Sequence, residues 1–382
     1  IDFPEIVPYG ISTDAGWGCM LRSAQMLLGQ TLRMHFKDRH WRPPQALGQK
    51  RRDTFLRQLM VWFADFPSQN ESFFSLHNMV AAGLAKYDIL PGEWYGPGTA
   101  CYVLRDLCQI FEEHQKKENL LTKLDRKMFR VYVAAQGTVY RDEIRDLMTR
   151  DCKVKRKKPT NKPPQGPLTH PLDPQYTANQ KAEDETEWDT SMLLLVPLRL
   201  GLKSFNEQYS VALAQVFGMK QSVGVLGGRP RGARWFYGAT SDGAKLYALD
   251  PHTVQAAPVR QVTKTAGGGV RQVIALTENY LRSFQTTNQE TVDLKRVDPS
   301  LAVGFYCENR KDFKDLCNSL LAWKHANKAA PELFAVSDSV PDYSANVSSA
   351  MDEMLAMSVS AESLEESGAP GRSDEDEEYV LL

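Results

Sequence analysis

The amino-acid sequence predicts an α+β fold in which helices come first and strands follow. In the first third of the 382 residues, apolar side chains recur at three- and four-residue spacing, which is the period of an amphipathic helix. In the second half, short apolar runs are separated by turn-forming residues, which is typical of strands. We therefore expect helices and sheet to be segregated along the chain.

Helices account for the first 120 residues. The first begins at Cys19, and Met20, Ala24, Leu27 and Leu28 lie on its apolar face. Three further helices are predicted from the apolar faces Phe55, Leu56, Leu59, Met60 and Phe63; then Leu76, Met79, Val80 and Leu84; and, after Pro97, Val103, Leu104, Leu107, Ile110 and Phe111. Proline in the first turn is compatible with the start of the last of these. All of these faces are expected in the core.

Short strands alternate with helices further along the chain. Residues 129–133 are predicted as a strand, 142–150 as a short helix, 191–198 as a fully apolar strand and 205–217 as a helix. Residues 235–239 and 245–249 are two strands on either side of Asp242-Gly243, a dipeptide that favours a hairpin turn.

Two segments are predicted to be disordered. Residues 151–190 begin with a basic run at 153–158 and continue as proline-rich and polar sequence, which buries little apolar surface. A solvated linker is the favoured interpretation of the basic run; nuclear localisation or binding to an anionic membrane is the alternative. After Ala335 the chain becomes serine-rich and acidic. We therefore expect one domain over 1–335, interrupted at 151–190, and a disordered tail over 336–382.

Composition limits the possible classes of function. The formal net charge of −1 gives no reason to expect nucleic-acid binding. The six cysteines form no Cys-x-x-Cys pair, which favours a reducing compartment and argues against a structural zinc, so no metal or cofactor is expected. No apolar run approaches the roughly 20 residues that a membrane helix needs, and no signal peptide is visible. The expected location is the cytoplasm.

Cys19 lies at the start of a predicted helix, a common position for a thiolate nucleophile. Small, turn-forming residues precede it in Asp14-Ala15-Gly16-Trp17-Gly18, and a helix is predicted to start at the cysteine itself. The unpaired N–H groups and the positive dipole at a helix N-terminus favour an anion, the form in which a cysteine attacks. The alternative is a structural role, since free cysteines are often buried.

A second cluster, Asp250-Pro251-His252, follows the strand predicted at 245–249. Residues two apart in an extended chain point to the same side, so one segment offers a carboxylate and an imidazole together. Pro251 stiffens the pair. With Cys19 as nucleophile, His252 is the candidate base and Asp250 the group that orients its ring. Taken alone, the triplet is more typical of a surface turn, and it is the combination with Cys19 that favours a catalytic pair.

Several motifs occur in the order that is characteristic of one protease family. They are Thr13-Asp14-Ala15-Gly16-Trp17-Gly18-Cys19-Met20-Leu21-Arg22, Trp94-Tyr95-Gly96-Pro97, Pro197-Leu198-Arg199-Leu200-Gly201-Leu202, Gly224-Val225-Leu226-Gly227-Gly228-Arg229-Pro230, Leu249-Asp250-Pro251-His252-Thr253 and Asp298-Pro299-Ser300-Leu301-Ala302-Val303-Gly304-Phe305. This set resembles the autophagins, the cysteine proteases of autophagy. The resemblance spans most of the chain, apart from about 115–190.

The resemblance implies a papain-like α+β fold, with the nucleophile in the helical part and an antiparallel sheet carrying His and Asp. It also implies an endopeptidase that cleaves after the C-terminal glycine of a ubiquitin-like autophagy modifier. This reaction matures the modifier precursor and releases the modifier from phosphatidylethanolamine. The partner is that modifier, free or lipidated, and contact with membrane is indirect. The protease is expected to be a monomer without a cofactor.

The resemblance also assigns roles to residues. Cys19 matches the nucleophile, His252 the base, Asp250 the orienting carboxylate and Trp94 a tryptophan that covers a narrow cleft. Glycine alone permits close approach to such a wall, which is compatible with a glycine-selective cleft. A movable loop that blocks the cleft corresponds to Arg229, Pro230, Arg231, Gly232 and Ala233.

The chain departs from the family pattern at two places. Arg231 and the residues after it differ from those expected in the movable loop. The chain also begins at Ile1, and the tyrosine that the family places before the segment matching Phe3-Pro4, as part of an oxyanion hole, does not precede it here. We therefore expect an N-terminal piece of the domain to be missing from this sequence.

The acidic C-terminus ends in Tyr379-Val380-Leu381-Leu382, an aromatic residue followed three residues later by an aliphatic one. This spacing suits strand addition to a partner sheet, with Tyr379 and Leu382 filling two pockets. Autophagin tails carry a similar motif for their modifier. The alternative is an inert tail.

For the whole chain, two alternatives to the protease remain open. One is a catalytically weak module that binds the modifier, and the other is a thiol acyltransferase with the same three residues.

Overall fold

A computed structural model describes residues 3–45, 48, 53–117, 128–151, 188–229, 231–240, 242–254, 257–264, 270–277, 280–281 and 289–341. Residues 1–338 form one compact unit and residues 339–382 form a second. The helices and strands that the structure describes all lie in the first unit. The predicted insertion at 151–190 and the predicted tail fall largely outside the described residues.

Helices dominate the first part of the described chain, as predicted. The helices of the whole described chain are α1 (Cys19–Phe36), α2 (Thr54–Trp62), α3 (Leu76–Tyr87), α4 (Pro97–Lys117), α5 (Arg141–Met148), α6 (Ser210–Gly218) and α7 (Arg310–Ala326). The first four of them make up the helical first part. Side-chain caps begin several of them: Asp53 accepts from the backbone N–H of Leu56, and Ser75 accepts from that of Asn78. Helix α1 differs, because Gly18 at its start provides no side-chain cap.

The strands are β1 (Met128–Val133), β2 (Thr138–Tyr140), β3 (Thr190–Arg199), β4 (Ser222–Gly227), β5 (Arg234–Ala239), β6 (Lys245–Leu249), β7 (Val259–Lys264), β8 (Val270–Ala275), β9 (Glu290–Asp293), β10 (Ser300–Cys307) and β11 (Ala335–Ser337). Seven of them form one sheet in the order β1-β3-β10-β4-β5-β6-β9. Its pairs are antiparallel except for β1 with β3, so the sheet is mixed rather than wholly antiparallel. The predicted α+β class is confirmed.

Two small sheets accompany the main one. Strands β7 and β8 form an antiparallel hairpin, and β11 pairs in parallel with β2. Strand β11 reaches Ser337, which lies beyond the domain boundary expected at 335. The last strand of the unit is therefore built from sequence with little apolar periodicity, and pairing with β2 holds it in place.

Helix α1 is buried against the sheet. Leu21, Leu27 and Leu28 expose no surface, and burying one leucine stabilises a fold by about 1.5–3 kcal/mol. The helix contacts β4, β5 and β10, and a Cβ on Gly304 of β10 would lie only 3.1 Å from Cδ1 of Leu27. This packing fixes the position of the helix start relative to β5.

Both flanks of the stretch 152–187 contact the same buried arginine. Arg130 of β1 donates to Oε1 of Glu112 from Nε at 2.9 Å and from Nη2 at 2.8 Å. Its Nη2 lies 2.5 Å from Oδ2 of Asp151, and its Nη1 lies 4.0 Å from Oδ1 of Asp189. The two ends of the predicted insertion therefore meet at one point of the domain.

One predicted helix starts later than its pattern indicates. The helix expected over 205–217 begins at Ser210, because Asn206 accepts from the N–H of Gln208 and starts a 3-10 turn, Glu207–Tyr209. The apolar periodicity extends through the turn, so the pattern alone does not reveal the break. The hairpin pair is confirmed, with Trp235 opposite Leu249.

Candidate active site

The turn before α1 is built around Asp14. Its carbonyl accepts from the N–H groups of Trp17 at 3.3 Å and Gly18 at 2.9 Å. A Cβ on Gly18 would lie 2.5 Å from the Cβ of Asp14, closer than real side chains approach. The Trp17 ring nitrogen also donates to the carbonyl of Thr13, at 3.1 Å. Glycine is thus required at position 18, and the turn delivers the chain to the helix at Cys19.

Arg22 fastens this turn to the rest of the domain. Its Nε donates to Oδ2 of Asp14 at 2.6 Å, and its Nη2 lies 2.8 Å from Oδ2 of Asp65. Burial alone would lower the pKa of Arg22, but the two carboxylates outweigh it and the pKa is raised. Asp65 also accepts from the N–H of Leu76 at the start of α3. The helix start that carries Cys19 is therefore held from two sides.

Cys19 is the first residue of α1, and 7% of its surface is exposed. The first N–H groups of a helix have no partner within it, and α1 has no acidic residue in its first turn. This end of the helix stabilises a negative charge beside it. The charge can be on the sulfur of Cys19 or on the oxygen of a carbonyl group that the sulfur has attacked. By contrast, burial raises the pKa of the thiols of Cys101 and Cys108 in α4, which disfavours their reactive form.

Asp250 and His252 form a tight pair just beyond the end of β6. The backbone N–H of His252 donates to Oδ1 of Asp250 at 2.9 Å, and the ring Nδ1 contacts the same oxygen. Burial alone would raise the pKa of Asp250, but the two bonds from His252 and the charge of Arg234 outweigh it and lower the pKa. Asp250 is thus held as a carboxylate, and Nε2 is the imidazole nitrogen left to exchange a proton.

The pair lies in a turn rather than in extended chain. Strand β6 ends at Leu249, so the alternation of an extended strand does not bring Asp250 and His252 together. The Asp250 side chain instead accepts from the backbone two residues later, which is an Asx turn. The predicted proximity of the two side chains is confirmed, but its physical cause is different.

Arg234 lies beside this pair. It begins β5, one residue before Trp235, which pairs with Leu249 of β6. Its Nη2 is 3.7 Å from Oδ2 of Asp250. Helix α1 packs against β5, and Cys19 and Trp235 belong to one buried cluster, so the helix start and the end of the hairpin share this side of the sheet.

Trp94 lies in the segment between α3 and α4. It is partly exposed and packs against the same apolar cluster that contains Cys19, Met20 and Trp235. Its Nε1 is buried and has no hydrogen-bond partner among the residues that the structure describes. Trp94 therefore borders the core cluster to which the helix start belongs, and its ring is held by packing rather than by a polar contact.

The loop between β4 and β5 contains the predicted gating residues, of which Pro230 falls outside the described chain. The N–H of Gly232 donates to the carbonyl of Arg229 at 2.9 Å, and Arg231 has a left-handed backbone with φ of +63°. Ala233 is fully buried. The loop is therefore anchored at Ala233, while Arg229 and Arg231 are exposed.

Gly228, just before this loop, has a structural reason to be glycine. Its φ is +136°, and a Cβ there would lie 2.4 Å from Cα of Ala233. The two ends of the loop therefore approach each other as closely as backbone allows.

Sequence reasoning missed Arg234 and Glu290. Nε and Nη2 of Arg234 donate to Oε2 and Oε1 of Glu290 at 2.6 and 3.2 Å. The signal was a charged residue at the first position of an apolar strand, directly after the loop. Its meaning depends on the register of β5 with β6 and of β6 with β9, which the sequence pattern does not give.

Three other predictions concern the C-terminal motif, metal binding and membrane-spanning helices. Tyr379 and Leu382 lie outside the described residues. Among the residues that are described, no cluster of three or more His, Cys, Asp or Glu side chains is arranged to hold a metal ion. Within the same residues, none of the helices combines the length and apolar character needed to cross a bilayer.

Comparison with known proteins gives a consistent result. Residues 1–319 match the family described as "Peptidase C54 catalytic domain". Cysteine protease ATG4B of Xenopus laevis is 31% identical over 346 residues, covering 90% of this chain and 77% of that protein. Cysteine protease ATG4A of Homo sapiens is 32% identical over 319 residues, covering 83% and 69%. Cysteine protease ATG4D of Xenopus laevis is 27% identical over 378 residues, covering 88% and 68%.

Proposed function

The chain belongs to the peptidase C54 family of autophagy cysteine proteases, and we propose that it cleaves the bond after the C-terminal glycine of a ubiquitin-like autophagy modifier. One observation carries the proposal. His252 is bonded to Asp250 at the end of β6, which pairs with β5, and Cys19 begins the helix that packs against β5. A nucleophile, a base and an orienting carboxylate are therefore available at one site.

The roles follow from the atoms that are free to react. The thiol proton of Cys19 passes to Nε2 of His252, since Nδ1 is engaged by Asp250. The sulfur attacks the glycine carbonyl carbon, the C–N bond breaks, and the leaving amine takes the proton from His252. Water then attacks the thioester with His252 as base, which releases the glycine carboxylate and restores the thiol.

The same steps serve two substrates. In the extended precursor the leaving group is the amine of the next residue, and in the lipidated modifier it is the amine of phosphatidylethanolamine. Both bonds are amides of the same glycine, so one site suits both precursor maturation and delipidation. Membrane contact then comes through the lipidated substrate.

Selectivity for glycine is assigned to Trp94 and to the loop at 229–233. A tryptophan fixed by packing forms a wall that side chains on the substrate would strike, whereas glycine passes. The loop must give way for substrate, and its left-handed Arg231 stores about 1–2 kcal/mol of backbone strain. Opening requires the Arg229–Gly232 bond to break while Ala233 stays anchored.

Recruitment and location complete the proposal. Tyr379 and Leu382 add a strand to the modifier and raise its local concentration at the site. The protein acts as a monomer in the cytoplasm, where its thiols stay reduced.

The test is incubation of the protein with a C-terminally extended modifier precursor, with product mass read by mass spectrometry. We expect a product that ends at the glycine, and no product with the Cys19→Ala variant. Binding without cleavage by the wild type would instead favour the weak binding module, and preferential transfer of the modifier to an added amine would favour the acyltransferase. Undiminished cleavage by Cys19→Ala would reject the assigned nucleophile.

A further inference from the structure

The guanidinium of Arg234 contacts three parts of the site at once. Two of its nitrogens donate to the two oxygens of Glu290 on β9, at 2.6 and 3.2 Å. Nη1 donates to the carbonyl of Gly232 in the β4–β5 loop at 3.1 Å, and Nη2 lies 3.7 Å from Oδ2 of Asp250. One side chain therefore joins the loop, the end of β6 and the edge strand β9.

Pairing of the strands creates this arrangement. Trp235, the residue after Arg234, pairs with Leu249, the residue before Asp250, and Glu290 pairs with Ala248 across β6 and β9. The three charged side chains thus come from β5, from the turn after β6 and from β9, at the same end of the sheet. The fork of Arg234 is fixed by Glu290, because a bidentate pair defines the plane of the guanidinium.

The charged and titratable groups that face Arg234 come from three elements. They are Cys19 on α1, Asp250 after β6 and Glu290 on β9. The bond to Glu290 is the largest cause of a raised pKa for Arg234, and burial works against it. Arg234 therefore keeps its positive charge at every pH at which the enzyme is active.

His252 holds only one of the two oxygens of Asp250. Its Oδ1 accepts from both the backbone N–H and Nδ1 of His252, while Oδ2 faces Arg234. A carboxylate held at one oxygen only can rotate about its Cβ–Cγ bond and swing away from the ring. An ion pair on the second oxygen opposes that rotation.

We propose that Arg234 is a positioning residue for the reaction: its guanidinium orients Asp250 beside His252 and fastens the β4–β5 loop to the site through Gly232. This role rests on the proposed function, because it acts through the residues assigned there. Its effect is expected on the rate of the chemical step and on the transfer of the Cys19 proton to His252.

The test compares Arg234→Gln and Arg234→Lys with the wild type. Arg39→Gln is the matched control, since the Arg39 guanidinium also bonds backbone carbonyls, those of Lys220 and Ser222 near the far end of β4. Two quantities are measured: kcat and KM on the modifier precursor, and the rate of alkylation of Cys19 by iodoacetamide between pH 5 and 9, located by mass spectrometry. Thermal melting establishes that each variant is folded.

We expect Arg234→Gln to lower kcat and to slow the alkylation of Cys19 near neutral pH, each by about tenfold, because Asp250 no longer holds His252 where its Nε2 takes the thiol proton. Arg234→Lys should restore the alkylation profile while recovering only part of kcat, since lysine supplies charge without the fork. Arg39→Gln should change neither quantity by more than about twofold.

Two failures are distinguishable. If the wild type does not cleave the precursor, the proposed function is wrong. If the wild type cleaves and a folded Arg234→Gln variant matches it in kcat and in the pH profile of alkylation, the role of Arg234 is wrong while the proposed function stands. An equal loss in Arg39→Gln would likewise overturn the specific role of Arg234, because a general effect on β4 would then explain it.

Discussion

Oδ1 of Asp250 accepts both the backbone N–H and the ring Nδ1 of His252. The backbone bond fixes the turn, and the ring bond fixes the tautomer that leaves Nε2 able to take a proton. Oδ1 of Asp250 therefore orients both the main chain and the imidazole of His252. The other oxygen is left to Arg234.

Replacing Asp250 by asparagine should lower kcat on the modifier precursor by at least about a hundredfold. The amide oxygen can still accept from His252, but the amide carries no charge, so it neither stabilises the imidazolium that forms nor pairs with Arg234. Asp242→Asn is the control, because Asp242 accepts from the N–H of Ala244 in the turn of the same hairpin. Equal kcat for the Asp250→Asn variant and the wild type would contradict the role of Asp250.

The same pair should make stability depend on pH in one direction. The pKa of Asp250 is lowered in the folded state, so its ionised form stabilises the fold above the ordinary carboxylate pKa of about 3.9. That contribution is lost as the pH falls through the lowered value.

Urea unfolding of the wild type and Asp250→Asn at several pH values measures this. The free-energy difference between them should move against the wild type below about pH 4, where Asp250 takes up a proton. A difference that stays constant from about pH 4 down to about pH 2 would count against the lowered pKa of Asp250 as its source.

Gly18→Ala should destabilise the protein by about 1–3 kcal/mol and lower kcat, because the new Cβ would lie 2.5 Å from that of Asp14 and push the start of α1 away. Gly29→Ala is the control within the same helix. Its Cβ would meet Phe63 at an ordinary 3.9 Å, so alanine should be neutral or stabilise by about 0.5–1 kcal/mol. Denaturant unfolding and steady-state kinetics give both numbers, and equal stability of the two variants would contradict the tight turn.

Deleting residues 379–382 should raise KM for the modifier precursor by about tenfold and leave kcat within about twofold. In the proposed function the motif recruits the modifier and takes no part in the chemical step. Leu381→Ala is the control, since position 381 lies between the two anchors. Unchanged KM after the deletion would remove the recruiting role from Tyr379 and Leu382.

Sequence patterns located the elements that carry the site because each has a strong local signal. Helix α1 begins at Cys19 as predicted, since small residues precede it and the apolar period starts there. Strand β6 covers Lys245–Leu249, between the Asp-Gly turn and Pro251, which ends the run. Local signals failed where a polar cap interrupts a continuous apolar pattern, as Asn206 does before α6.

The site itself was predictable only in part. Cys19, Asp250 and His252 were found from residue type and motif, whereas the grouping around Arg234 depends on strand register across three strands. Glu290 lies 56 residues beyond Arg234 in the chain, and no periodicity connects them. The ion pair of Arg22 with Asp65 is also non-local, because the two residues are 43 positions apart. Contacts between residues far apart in the sequence depend on the tertiary fold, so local sequence patterns do not predict this part of the site.

The central claim, that Cys19 attacks the carbonyl of a modifier's terminal glycine, is tested most directly by covalent trapping. A modifier that ends in an electrophilic group in place of the glycine carboxylate is mixed with the protein, and the adduct is mapped by peptide mass spectrometry. We predict one adduct per chain, attached to the sulfur of Cys19 and absent from Cys19→Ala. No adduct with the wild type, or an adduct on another cysteine such as Cys101, would contradict the claim.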